Sequence, residues 1–223
     1  MEPGQKNALT DVEDLEVGLW SDPEAATGCA VVLVRKGAVA GASLAGHAPG
    51  SRETDLLRSE ALVQEAQAVF LTGGSAFGLA VGEGVVRFLK EKGLGFPVGQ
   101  GVVPIVSGAV LFDLFRGRKN RPPDAEAGYR AAQAASSGPI PLGNHGPGVG
   151  AVAGGVKGGL GTASLVLEGF TVGALAAVNS FGRPFDPKTG RLYAEPLLFP
   201  EDCPGYRPPD RRGPPEDYRI PGA

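Results

Sequence analysis

The sequence predicts a layered α+β or α/β body, and three observations carry that expectation. Strand-like and helix-like segments alternate through the first half while the later half is rich in strands, an order that suits sheets covered by helices. Hydrophobic residues are 42% and charged residues 20% of the 223 positions, enough apolar side chain for a sizeable core. The 36 Gly and 20 Pro are about a quarter of the chain, a level that suggests low complexity, but the two are segregated. Glycine sits inside apolar segments such as 149–161, and seven prolines gather between Pro200 and Pro221. Residues 1–199 therefore read as one domain. Residues 200–223 read as an extended polar tail that can form neither a helix nor a central strand.

The elements follow in order. TDVEDLEVG (10–18), GCAVVLVR (28–35) and AVAGASLAG (38–46) read as strands, with a hairpin-type turn at Lys36-Gly37 between the last two. HAPGSRETD (47–55) is a loop around Pro49-Gly50. Between Thr54 and Ala68, Leu56, Leu57, Ala61, Leu62 and Ala66 recur at helical spacing and predict a helix. AVFLT (68–72) is a short strand running into Gly73-Gly74-Ser75, and Ser75 is the expected N-cap of a helix over 76–92 that Gly93 ends. VVPIVSGAVLFDL (102–114) is strand-like, RGRKNRPP (116–123) a basic loop, and Asp124 to Ser136 an alanine-rich helix. TASLVLEGFTVGALAAVN (162–179) reads as two strands hinged at Glu168-Gly169, and Asp186 to Gly190 as a turn.

Composition excludes several function classes. A formal net charge of -3 gives no general attraction to nucleic acid or anionic lipid. The apolar runs are short, so no membrane span is expected, and the acidic start lacks the form of a secretory signal. Two Cys and two His cannot build a cysteine-rich zinc site or a disulfide framework. A reduced, cytoplasmic protein without metal or cofactor is the expectation.

Three segments can carry chemistry. A strand entering Gly73-Gly74-Ser75 and a helix start offers either close packing of helix on strand or free N–H groups for an anion; its glycines do not match the dinucleotide fingerprint. Lys157 lies among glycines and is either a solvated loop charge or a cation beside a reacting centre. Asn179 closes an apolar strand, and its amide can cap the turn Ser180-Phe181-Gly182 or donate to an oxyanion. No Ser/His/Asp constellation can be argued from His47 or His145.

Taken together, NALTDVEDLEVG, TGCAVVL, APGSRETDLL, LTGGSAFGLAVGEGVVRFL, VPIVSGAVLFDL, KGGLGTAS and AVNSFGRPFDPKTGRL resemble one family, in its order and over nearly the whole chain. It holds the L-aminopeptidase/D-esterases, the β-peptidyl aminopeptidases and the nylon-oligomer hydrolases. The resemblance implies an αββα four-layer sandwich. It also implies a precursor that cuts itself once, freeing a Ser or Thr nucleophile at the start of a smaller β chain, with its own α-amine as base. This chain would be the α subunit, with the self-cleavage site at or just after Ala223. Its partners would be the β subunit, a short peptide, amide or ester substrate, and further αβ units in a tetramer. The resemblance assigns Asn179 to the oxyanion hole, Lys157 to the neighbourhood of the nucleophile, and Gly74 and Ser75 to the substrate pocket.

Phe112 stands where some relatives place a tyrosine, so it can shape the pocket but not donate a hydrogen bond. Ala45-Gly46-His47 replaces an arginine followed by two glycines. Two other readings remain: an acyl transferase of the ornithine acetyltransferase type with the same fold, and a non-catalytic protein binding a nucleotide or other small molecule.

Overall fold

The computed structural model describes residues 2–198; the tail over 200–223 and the expected cleavage position at Ala223 lie outside the described residues. The described residues divide into two compact units, one of 2–151 and Gly158–Val178, the other of Val152–Lys157 and 179–198. In chain order the elements are β1 (Glu2–Pro3), β2 (Leu15–Asp22), β3 (Thr27–Val39), β4 (Ser51–Arg52), β5 (Glu65–Thr72) and helix α1 (Val81–Glu91). There follow β6 (Phe96–Val98), β7 (Gly101–Val103), β8 (Val106–Val110), helix α2 (Ala125–Gln133), β9 (Val152–Ala153), β10 (Val156–Lys157), β11 (Gly159–Leu167) and β12 (Phe170–Val178).

In the first unit, five strands pair in the order β2-β3-β5-β8-β4. Only β5 and β8 run parallel, and α1 lies in the crossover that a parallel pair needs. Helix α1 presents Val81, Val85, Phe88 and Leu89 at helical spacing, and α2 presents Ala127, Ala131 and Ala132. Both stripes close on Cys29, Val31, Leu33, Ala68, Phe70 and Val106 of the sheet, each large buried apolar side chain contributing about 1.5–3 kcal/mol. Asp124 caps α2 by accepting the Ala127 N–H at 2.9 Å, and Gly93 ends α1 in a left-handed turn, the latter as the sequence predicts. On the other face of the sheet, Val17, Leu19 and Val32 meet Leu160, Leu175 and Ala177 of a second sheet ordered β1-β11-β12. The layers of this unit are thus helices, five-stranded sheet and three-stranded sheet, three of the four layers of an αββα sandwich.

Among the described residues no fourth layer covers the second sheet, and the outer face of that sheet is apolar. Alternate residues of β12 (Phe170, Val172, Ala174, Ala176 and Val178) are exposed, and β11 pairs them with Leu167, Leu165, Ala163, Gly161 and Gly159.

Several expected elements differ. The predicted helix over 54–68 is a 3-10 turn at Thr54–Leu57 followed by loop, and β5 begins at Glu65. Leu62 is 89% exposed, while Ala66, Ala68 and Phe70 are buried at the strand period of two, so the helical spacing came from apolar residues of a loop and a strand read together. The hairpin at Lys36-Gly37 is absent. β3 runs through it to Val39 with a bulge between Leu33 and Ala38, and residues 40–46 leave the sheet. Ser75 caps no α-helix: Gly74 precedes a 3-10 helix over Ser75–Ala80, and α1 starts only at Val81.

Candidate active site

In the second unit, Gly154 and Gly155 turn β9 into β10, and the short pairing sets Lys157 directly opposite Val152. The N–H of the same Val152 donates to Asn179 Oδ1 at 2.9 Å. A backbone N–H accepts nothing, so this contact fixes which end of the amide is oxygen. The NH2 end of Asn179 is left as the donor and has no partner among the described residues. The structure therefore brings Asn179 and Lys157, far apart in sequence, onto one residue. The turn expected after Asn179 is present as well, with Ser180 Oγ donating to Gly182 O at 2.6 Å.

Gly74, Ser75 and Phe112 belong to the first unit, around a residue that sequence reasoning missed. Asp113 is 2% exposed and lies beneath the Gly73-Gly74-Ser75 turn. Its Oδ1 accepts the Gly74 N–H at 2.6 Å and its Oδ2 accepts the Thr27 hydroxyl at 2.7 Å. Burial pushes its carboxyl above the ordinary value, against the hydrogen bonds from Thr27 and Gly74. The turn's other two N–H groups are also taken, Gly73 by Gly28 O at 2.9 Å and Ser75 by Leu111 O at 3.0 Å. The anion-site reading of this turn is corrected on that ground: all three N–H groups have acceptors, one of them a carboxylate, so none is left for a phosphate or an oxyanion. The nucleotide alternative loses its motif with it. Phe112 is 53% exposed, one residue before Asp113.

Two further groups can be placed. The Cys29 thiol is buried, pushed up to about 12 by desolvation, and set against Ala127 O, which makes it a core residue and not a nucleophile. Among the described residues no three His, Cys, Asp or Glu side chains converge as metal ligands. No helix there is long and apolar enough to cross a membrane.

The family model described as peptidase family S58 matches residues 7–196. The chain belongs to peptidase family S58. An uncharacterized aminopeptidase of Mycobacterium bovis is 48% identical over 201 residues, covering 86% of this chain and 58% of that relative. A Burkholderia sp. β-aminopeptidase structure superposes with a TM-score of 0.66 at 26% identity, covering 82% of this chain and 54% of that one. The L-aminopeptidase D-Ala-esterase/amidase of Ochrobactrum anthropi, described as a variant of the Ntn hydrolase fold, superposes with a TM-score of 0.67 at 23% identity. It is covered to 55% by 82% of this chain, and at that identity the likeness speaks for the fold alone. The S58 chain thus spans less than two thirds of the relatives it matches.

Proposed function

We propose that this S58 chain is the α subunit of a self-processing amide hydrolase that acts at the N-terminus of short peptides or on linear oligoamides. Its Ser or Thr nucleophile begins a β subunit cut from the same precursor, and αβ units assemble into a tetramer. One observation besides family membership supports a second chain: the outer face of β11 and β12 is an unbroken apolar surface of the kind that marks an interaction site.

In this reading the nucleophile's hydroxyl attacks the amide carbonyl and its own α-amine takes the proton. That amine then returns the proton to the leaving amine, and water releases the acyl group. The observation that carries the assignment of this chain's part is the Asn179 amide. With its oxygen held by the Val152 N–H at 2.9 Å, its N–H groups are pre-aimed donors for the tetrahedral oxyanion. Lys157, fixed across the hairpin from Val152, adds a positive charge that steadies the developing anion and favours the neutral form of the α-amine. Gly74, Ser75 and Phe112 contact substrate.

The test is an intact-mass spectrum of the purified full-length gene product, run beside hydrolysis of short peptide amides and esters. Two chains, the smaller beginning in Ser or Thr, together with amide hydrolysis, are expected. One uncut species without hydrolysis overturns the reading. Acetyl transfer from N-acetylornithine to glutamate in place of hydrolysis would move the assignment to the acyl transferase.

A further inference from the structure

The Gly73-Gly74-Ser75 turn is held in a conformation its own sequence does not favour. Gly74 has φ +85° and Ser75 φ +51°. The second is left-handed backbone on a residue with a Cβ, which costs about 1–2 kcal/mol and persists only where the surroundings determine it. Those surroundings are residues 111–113. The Leu111 N–H donates to Thr72 O at 2.8 Å, the Ser75 N–H to Leu111 O at 3.0 Å, and the Gly74 N–H to the Asp113 carboxylate at 2.6 Å.

The space around that carboxylate is built for it. A Cβ on Gly73 would lie 1.9 Å from Asp113 Oδ2 and 2.2 Å from Thr27 Oγ1, and one on Gly150 would lie 2.6 Å from the same Oδ2. Two glycines and the Thr27 hydroxyl thus enclose one buried side chain whose Oδ1 reaches the turn.

We propose that Asp113 is the positioning residue of this turn: oriented by Thr27, its carboxylate takes the Gly74 N–H and sets the left-handed Gly74-Ser75 backbone that meets the substrate. The assignment rests on the proposed hydrolase reading, in which Gly74 and Ser75 contact substrate. Asp113 itself touches neither substrate nor the reacting atoms.

The experiment compares Asp113→Ala, Asp113→Asn, Thr27→Val and Thr27→Ser in the full-length protein. KM and kcat are measured per titrated active site on a short peptide amide, alongside melting temperature. Asp113→Ala leaves the Gly74 N–H without an acceptor and is expected to raise KM at least tenfold. Asp113→Asn keeps an oxygen for that N–H and should recover most of the loss, although it removes the charge. Thr27→Val frees the carboxylate to turn and should raise KM about threefold, which Thr27→Ser should reverse. A merely structural role would lower the number of active sites or the melting temperature and leave KM per active site unchanged, and that result overturns the proposal. If Asp113→Ala does not fold, an unchanged KM in Thr27→Val overturns it equally. A wild-type protein that hydrolyses no amide overturns the hydrolase reading, and the positioning role with it; an active wild type with indifferent variants overturns the positioning role alone.

Discussion

Replacing Asn179 by Asp separates the two ends of its amide. The Oδ1 end accepts the Val152 N–H at 2.9 Å, and an Asp oxygen in its place accepts the same proton, so the link to the hairpin survives. The NH2 end becomes a second oxygen. It can no longer donate, and it turns a negative edge toward a developing oxyanion. Removing one such donor costs about 2.7–4 kcal/mol in other acyl-transfer enzymes, a fall of roughly 10²–10³ in kcat, and Asn179→Asp should fall at least that far. Asn179→Ala loses the donor and the anchor together. The unmade hydrogen bond to Val152 is worth about 1 kcal/mol, or about 2–4 °C in melting temperature for a chain of this size. The assay is kcat on a short peptide amide together with melting temperature, for protein whose processing state has been read by intact mass. Alanine should move both quantities, whereas aspartate should move kcat and leave melting little changed. Turnover by Asn179→Asp within threefold of wild type would refute the oxyanion assignment, because no acceptor-only side chain can fill that role.

Two predictions concern the frame. Gly84→Ala places a better helix former inside α1, worth about 1 kcal/mol on propensity, but its Cβ would fall 1.7 Å from Ala125 O and 2.6 Å from Tyr129 N. Backbone cannot rotate away, overpacking costs about 1–3 kcal/mol, and urea denaturation should show a net loss of stability. Asp22 is held below the ordinary carboxylate range by its hydrogen bond from Arg121 and, against burial, by the Ala25 and Glu24 N–H groups at 3.1 Å. Its folded value lies below its unfolded one, so its stabilisation is present above about pH 4 and is lost as pH falls through the lowered value. The melting difference between wild type and Asp22→Asn should accordingly be clear at pH 7 and shrink as the pH falls below about 4.

What could be read in advance follows how local each determinant is. Helix α2 shows its alanine-rich composition within thirteen residues, and the hairpin of β11 and β12 shows Glu168-Gly169 between two apolar runs, so both were legible. The segment 54–68 failed because Leu56, Leu57 and Leu62 mimic a helical face in a stretch that buries none of them, while the buried alanines beyond obey a period of two. Ser75 looked like an N-cap because the sequence does not reveal that its own backbone is left-handed. Asn179 and Lys157 could be named from the family's motifs. Their meeting at Val152 could not, since it depends on a two-residue hairpin pairing. Asp113 offered only a lone acid after an apolar strand, and its partners Thr27, Gly73 and Gly150 come together only through the sheet.

The glycine content, the sequence's main anomaly, resolves into backbone packed on backbone. A Cβ on Gly18 of β2 would lie 1.9 Å from Ala131 O, and one on Gly128 of α2 would lie 2.1 Å from Val81 O. With the Gly84 contact, the main chain of α2 meets a strand and a helix directly, beside side-chain contacts such as that of Tyr129 on Phe88. Its buried face is accordingly Ala127, Gly128, Ala131 and Ala132, residues that bring little hydrophobic area but permit close approach. The outer face of β12 has the opposite make-up, with Phe170, Val172 and Val178 exposed. Small residues buried on one element and large apolar ones exposed on another are hard to reconcile with a surface evolved for water. The distribution becomes ordinary once a further layer covers β11 and β12, which is the arrangement the proposed β subunit would complete.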